Sequence, residues 1–242
     1  MLSTDVSRDK EHYYLAGDSI IRVENTLFKI HKAFLSHNSP LFATLFDLPV
    51  GTGNPEGSSD ALPIFLEGDT ADDFRALLKY IYAPPIQVQL SEITLVAVPE
   101  LVSVAKLSHK YQMDHWRDWA LKGLERHISS FDSLPARHIP ALYSLANLLG
   151  LIVTRLVAIK RWCDVVEQDD LSIVPLINTF DASGDQYGLV AIYCVQIRRW
   201  EHSARTVSDL ESLPRDGVSS THFHRMLSGY ALLLRSWYRF PS

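Results

Sequence analysis

The 242-residue sequence predicts an α+β fold over roughly the first 130 residues, followed by a helical region. Three observations carry this expectation. Two β-rich runs, Ser19–Val23 (SIIRV) and Thr26–Ile30 (TLFKI), are separated only by Glu24-Asn25. At Lys32 the apolar period changes from that of a strand to that of a helix. From Pro99 onward every apolar pattern is helical.

A two-residue connection containing Asn, which tolerates positive φ, predicts a tight hairpin. His31 comes next, after Phe28 and Ile30 and before Phe34 and Leu35. At an apolar strand-to-helix step, a histidine reads as a base, a metal ligand or a buried hinge residue. From Lys32 to Phe46, Phe34, Leu35, Leu41, Phe42, Leu45 and Phe46 keep helical spacing. Ser39-Pro40 marks a cap and a first-turn proline inside that stretch, so two short helices are expected. Residues 47–62, DLPVGTGNPEGSSDAL, read as an exposed loop.

A short strand, Pro63–Leu66, follows. Thr70 then caps a helix with Asp73 three positions on, a capping box with Asp in place of Glu or Gln. Phe74, Leu77, Leu78 and Ile81 give that helix one apolar face, and Pro84-Pro85 ends it. Pro99 opens a helix carrying Leu101, Val104, Leu107 and Tyr111. Asp114 is placed to cap the next, with Trp116, Trp119, Leu124 and His127. Further helices are expected over 135–149, closed by Gly150, then over 151–166 and roughly 186–204 and 221–239. The stretches 168–185 and 206–220 hold the remaining Gly, Pro and Asp signals and read as linkers.

Composition narrows the function classes. Residues 1–98 carry 7 Lys and Arg against 13 Asp and Glu; residues 99–242 carry 16 against 15. Neither part has the dense positive field that phosphate backbones require, so nucleic acid is not an expected partner. Cys163 and Cys194 are too few for a disulfide framework and sit in apolar runs, as buried free thiols do in a reducing compartment. MLSTDVSRDKEHYYL has no apolar core of signal-peptide length, and ALYSLANLLGLIVT stops at Arg155, too short to span a bilayer. The expectation is a soluble intracellular protein, cytoplasmic or nuclear, with no membrane partner.

Tests for catalytic chemistry return nothing complete. Gly51, Gly53 and Gly57 form G-x-G-x-x-x-G, but a dinucleotide fingerprint needs a strand before it and a helix after it, and this run lies in a loop. Ser103-Val-Ala-Lys106 matches S-x-x-K without the K-T-G or S-D-N that complete such a site, and a solvated helix face explains it. His222-x-His224 places its rings on different helix faces, and His109 and His115 straddle a helix break. Asp69, Asp72 and Asp73 stand at a helix start, where carboxylates complement the macrodipole. No enzyme activity, cofactor, metal or small-molecule substrate is expected.

The elements and their residues together resemble a BTB (POZ) domain. GDSIIRVENTLFKIHKAFLSHNSPLFATLF is similar to its start, a strand pair leading through a His-Lys step into a helix and a Ser-Pro-x-Phe turn. LPIFLEGDTADDFRALLKYIYAPP resembles the next strand and capped helix, ending in Tyr-Ile-Tyr, and ELVSVAKLSHKYQMDHWRDWALKGLERHI resembles the closing helix pair. The similarity covers residues 17–128, and its wording resembles BTB proteins of filamentous fungi.

The resemblance implies a short β-sheet capped by helices over 17–130, after a lead-in over 1–16, with an all-helical, BACK-like region over 131–242. It implies structural roles for Asp18, His31, Ser39, Pro40, Phe42, Phe74, Tyr80 and Tyr82, His31 being a satisfied buried group rather than a base. Phe46, Leu48 and Val50 become candidate partner contacts. The implied function is protein–protein interaction: a self-associating scaffold, or a substrate adaptor of a cullin-type ubiquitin ligase. A transcriptional co-regulator is the alternative, and a cryptic hydrolase a distant one. Two departures bear on partners. Only 17 residues precede Asp18, with EHYYL the sole candidate for an added strand, which weighs against a homodimer built by segment exchange. Leu48-Pro49-Val50 replaces the hydrophobic-x-acidic triplet of many cullin binders, so a cullin ranks below a homodimer. Trp162, Trp200 and Trp237-Tyr238 are expected in the core of the helical region.

Overall fold

A computed structural model describes residues 6–48, 55–84, 88, 97–127, 134–203 and 217–237. The chain divides into two compact units, residues up to 134 with 140–154, and residues 135–139 with 155 onward.

The first unit is built on a four-stranded sheet of order β1-β3-β2-β4. The hairpin is β2 (Ser19–Val23) and β3 (Thr26–Ile30), antiparallel with Val23 opposite Thr26. At its turn the positive φ falls on Glu24, at 51°, and not on Asn25. Tertiary contacts hold Glu24 there: its Oε2 accepts the Ala71 N–H at 2.9 Å, while Arg22 Nε donates to its carbonyl at 2.8 Å. Strand β4 (Ile64–Leu66) lies parallel to β2.

The expected lead-in is partly structural. Ser7–Tyr13 forms β1, parallel to β3 at the sheet edge. No alternation advertises it, because the register breaks between Arg8 and Tyr13 and the inward residues, Asp9 and His12, are polar. Asp9 Oδ1 accepts the N–H groups of Glu11 and His12, and its Oδ2 meets Arg75 at 2.8 Å. Asp60 ties the strand from the other side, accepting from Arg8 and from the Tyr13 hydroxyl. The turn into β2 needs Gly17, because a Cβ there would stand 2.9 Å from the Ile30 carbonyl oxygen.

Helix α1 (Lys32–Asn38) receives no side-chain cap from His31. Asp18 supplies it across the sheet end, its Oδ1 accepting the Lys32 N–H at 2.7 Å. Ser39 caps α2 (Pro40–Phe46) as expected, accepting from Phe42 N–H at 3.1 Å, and it also donates to the Tyr111 carbonyl at 2.6 Å. Thr70 caps α3 (Ala71–Ile81) through the Asp73 N–H, but the Asp73 carboxylate reaches Ser103 and Lys106 of the following helix. That helix, α4 (Val98–Lys110), closes through Gln112 at φ 55° with the Met113 N–H on the Ser108 carbonyl. Asp114 is the first residue of α5 (Asp114–His127) rather than a cap before it. The core between sheet and helices holds Ile21, Phe28, Leu35, Phe42, Phe74, Leu78 and Leu101, with Phe28 and Phe74 edge-to-face at 5.0 Å.

The later helices are α6 (Ile139–Leu149), entered through a 3₁₀ turn over Ala136–His138, then α7 (Ile152–Gln168), α8 (Val174–Ala182), α9 (Gln186–Ser203) and α10 (Ser220–Trp237). Helix α8 occupies a stretch that reads as linker. Pro175 starts it, and Leu176, Ile177 and Phe180 are buried on one side of only nine residues, too few for the periodicity to stand out against flanking Asp and Gly. Trp200 is buried against Phe223, and Trp162, half-buried, meets Phe180 edge-on at 5.8 Å. The side chains of Trp237 and Tyr238 lie outside the described residues.

These ties have measurable consequences. Ser39→Ala removes a helix cap and leaves the Tyr111 carbonyl without the Ser39 donor, so urea unfolding is expected to lose about 2 kcal/mol with an unchanged slope. Asp9, Asp60 and Asp73 all have pKa values below the ordinary 3.8. For Asp60 the Tyr13 hydroxyl is the leading cause; for Asp9 and Asp73, burial alone acts upward but is outweighed by hydrogen bonds to the charged form. Their stabilisation is complete above the unfolded value and lost as pH falls through the folded values. Circular dichroism is therefore expected to hold constant down to about pH 4 and fall below it.

Candidate functional site

The junction that carries His31 is also where the first unit gathers aromatic surface. His31 follows the last residue of β3, and its N–H donates to the Tyr82 hydroxyl, 51 residues away, at 2.8 Å. The ring Nδ1 lies 3.1 Å from the same oxygen. A hydroxyl that accepts from the backbone still has its own proton to give, which fits the ring tautomer with hydrogen on Nε2. His31 is half-buried rather than buried, and both its ring and its N–H meet that one hydroxyl. Burial pushes the Tyr82 phenol up to about 12, so it remains a neutral donor and acceptor across the working pH range.

Around this knot stand three stacked rings. Tyr14 and Phe34 each lie 4.6 Å from Tyr82, at interplanar angles of 28° and 27°. They come from the end of β1, the first turn of α1 and the residue after α3. Phe34 is 44% exposed, and the nearby Leu15 is 89% exposed at the tip of a turn that Lys29 Nζ holds through the Leu15 carbonyl. The result is an aromatic face with an aliphatic rim, suited to burying apolar area against another protein.

The other expected structural residues are distributed through the core. Phe42 is buried, with its ring 4.6 Å from Tyr111. Tyr80 is buried, donates to Glu100 at 3.0 Å and packs near Trp119 at 4.5 Å. Of the expected contact residues, Phe46 is half-buried beneath Lys32 Nζ, Leu48 is 57% exposed, and Val50 lies outside the described residues.

The three acidic residues at the start of α3 do more than complement a dipole. Asp69 is buried and accepts from the Tyr111 hydroxyl and from Lys110 Nζ; Asp72 pairs with Arg75; Asp73 pairs with Lys106. Ser103 and Lys106, the S-x-x-K pair, are thus both engaged by one carboxylate, with the lysine tied to Asp73. Gly57 adopts φ 82° in a turn whose carbonyl accepts from Ile20 N–H; Gly51 and Gly53 lie outside the described residues. His222 Nδ1 meets the Tyr193 hydroxyl at 2.6 Å. Among the described residues no group of three or more His, Cys, Asp or Glu is placed to hold a metal ion. Cys163 is buried, which pushes its thiol up to about 12.

Sequence reading missed Tyr14, Phe34, Asp9 and Arg75 as participants. The doublet Tyr13-Tyr14 was the available signal, but its register on a broken strand cannot be read from spacing.

A family model of the BTB/POZ domain matches residues 7–127, half of the chain. The chain belongs to the BTB/POZ family. BTB domains mediate protein–protein association, and this chain accordingly carries an interaction module on its first unit, followed by a helical C-terminal region. The match begins at the first residue of β1, and so includes the strand that sequence reading placed in the lead-in. A search of curated proteins returns no significant match. No helix among the described residues is long and apolar enough to cross a membrane.

Tyr82→Phe keeps the ring stack of this BTB domain but deprives the His31 N–H of its acceptor. Thermal or urea unfolding is expected to show a loss of about 1–2 kcal/mol. An unchanged stability would mean that water replaces the phenol.

Proposed function

We propose that the protein is a self-associating scaffold that uses its BTB domain for pairing and a second surface for partner choice. The observation that carries this reading is the BTB/POZ match over residues 7–127. The exposed face of Leu15 and Phe34 supports it as the pairing surface, because exposed aromatic and aliphatic groups gain most from mutual burial. Phe46 and Leu48, with Val50 outside the described residues, are the proposed partner contacts. The domain limits of the proposal are 17–130 for the BTB domain, extended by β1, and 131–242 for a BACK-like helical domain. Its proposed setting is intracellular, in cytoplasm or nucleus, with no catalytic step.

A cullin-adaptor role is the narrower version of the same reading. Leu48 offers an apolar contact, but Leu48-Pro49-Val50 has no acidic residue in the third position. Light scattering behind size exclusion, with and without a cullin N-terminal domain, tests both versions. The expected result is a dimer indifferent to the cullin, converted towards monomer by Phe34→Asp with at least a tenfold rise in Kd, the effect of about 1.4 kcal/mol. Co-elution with the cullin moves the protein to the adaptor class. A monomer that ignores the cullin overturns the proposal.

A further inference from the structure

We propose that β1 is an acid-released strap on the edge of the sheet, with His12 as the group whose protonation releases it. The strand is attached to β3 only near its ends, where Ser7 and Arg8 face Thr26 and Leu27, and Tyr13 faces Lys29. Between those points Asp9 and His12 turn inward and are 6% and 5% exposed. His12 Nδ1 stands 3.1 Å from the Tyr14 hydroxyl, and Nε2 is buried without a well-formed hydrogen bond among the described residues, the Arg75 main chain lying only close enough to favour a proton on the ring. A second proton would place a charge and an added donor where water does not reach.

The charged and titratable groups facing His12 come from its own strand, from α3, and from Tyr14 and Tyr82, which follow those two elements. On its own strand, the carboxylates of Asp9 and Glu11 favour the imidazolium. From α3, the Arg75 guanidinium opposes it and the Arg75 backbone favours it, while Arg75 is itself paired with Asp9 and Asp72. The Tyr82 ring, 6.3 Å away, brings a phenol that stays neutral. Burial is the largest influence and holds His12 below its ordinary 6.5.

The sign of the effect follows from linkage. In the lifted strand His12 is solvated and titrates near its ordinary value, while in the seated strand it titrates lower. Well above pH 6.5 both forms are neutral and pH has no effect. As pH falls from there towards the seated value, the lifted form takes up the proton first, and the opening constant rises by at most about tenfold per pH unit. Asp9 acts in a separate window, below its ordinary 3.8. Lifting β1 bares the edge of β3, a row of main-chain groups available to an added strand.

Hydrogen exchange on the full chain between pH 7 and pH 5, corrected for intrinsic rates, reads this directly. The reporters are the amides of Ser7, Glu11, His12 and Tyr14, all hydrogen-bonded in the seated strand. Their protection is expected to fall with pH below 6.5, by at most about tenfold per pH unit, while α3 stays protected, and to become pH-independent in His12→Phe. Constant protection in the natural chain, an equal acid loss in His12→Phe, or joint loss of α3 and β1 overturns the proposal. If His12→Phe does not fold, the His12 ring resonance in the natural chain decides. A depressed midpoint that coincides with loss of β1 protection supports the strap, and an ordinary midpoint with β1 still protected overturns it.

Discussion

The hydrogen bond from the His31 main chain to the Tyr82 hydroxyl is the constraint on which the first unit turns. A strand that ends and becomes a helix leaves main-chain groups that neither element can satisfy, and such groups must find partners elsewhere. Here one is taken by Tyr82 and the next, on Lys32, by Asp18. Two side chains distant from the junction therefore fix the angle at which α1 leaves the sheet. Once α1 is set, Ser39 starts α2 in the direction that puts Phe42 against Tyr111, and the helix pair closes over the sheet.

The surface follows from the same arrangement. Tyr82 can serve the His31 main chain only if its ring lies at the junction, and there it forms the middle of a stack with Tyr14 and Phe34. The outer rings cover its faces and remain partly open to solvent. Structural need and exposed apolar surface thus share residues, a common situation where loops and helix starts are held by a rigid sheet. In this setting the His31 ring nitrogen Nδ1 lies 3.1 Å from the Tyr82 phenol oxygen, and the ring packs beside Phe34.

Polar latches complete the unit. Asp9, Asp60, Asp69 and Asp73 each connect elements far apart in sequence, to Arg75, Arg8, Lys110 and Lys106. Such pairs contribute little where exposed, but the nearly buried carboxylates of Asp9 and Asp69 would be costly if left alone. They specify which strand and which helix face meet, and they make β1 a member of the sheet despite its polar sequence.

Elements that depend on local physics were legible in the amino-acid order. The hairpin, the Ser39-Pro40 cap, the Thr70 cap and the apolar face of α3 are dictated by turn chemistry and periodicity, and the succession of those elements carried the family resemblance. Long-range contacts were needed to settle β1, α8 and the outer face. Strand β1 has a broken register and inward polar residues, and its partners, Arg75 and Asp60, lie more than 45 residues away. Glu24 rather than Asn25 took the positive φ because the start of α3 needed its carboxylate. The stack of Tyr14, Tyr82 and Phe34 was illegible because its three members come from separate elements, brought together only when the His31 main chain finds its acceptor.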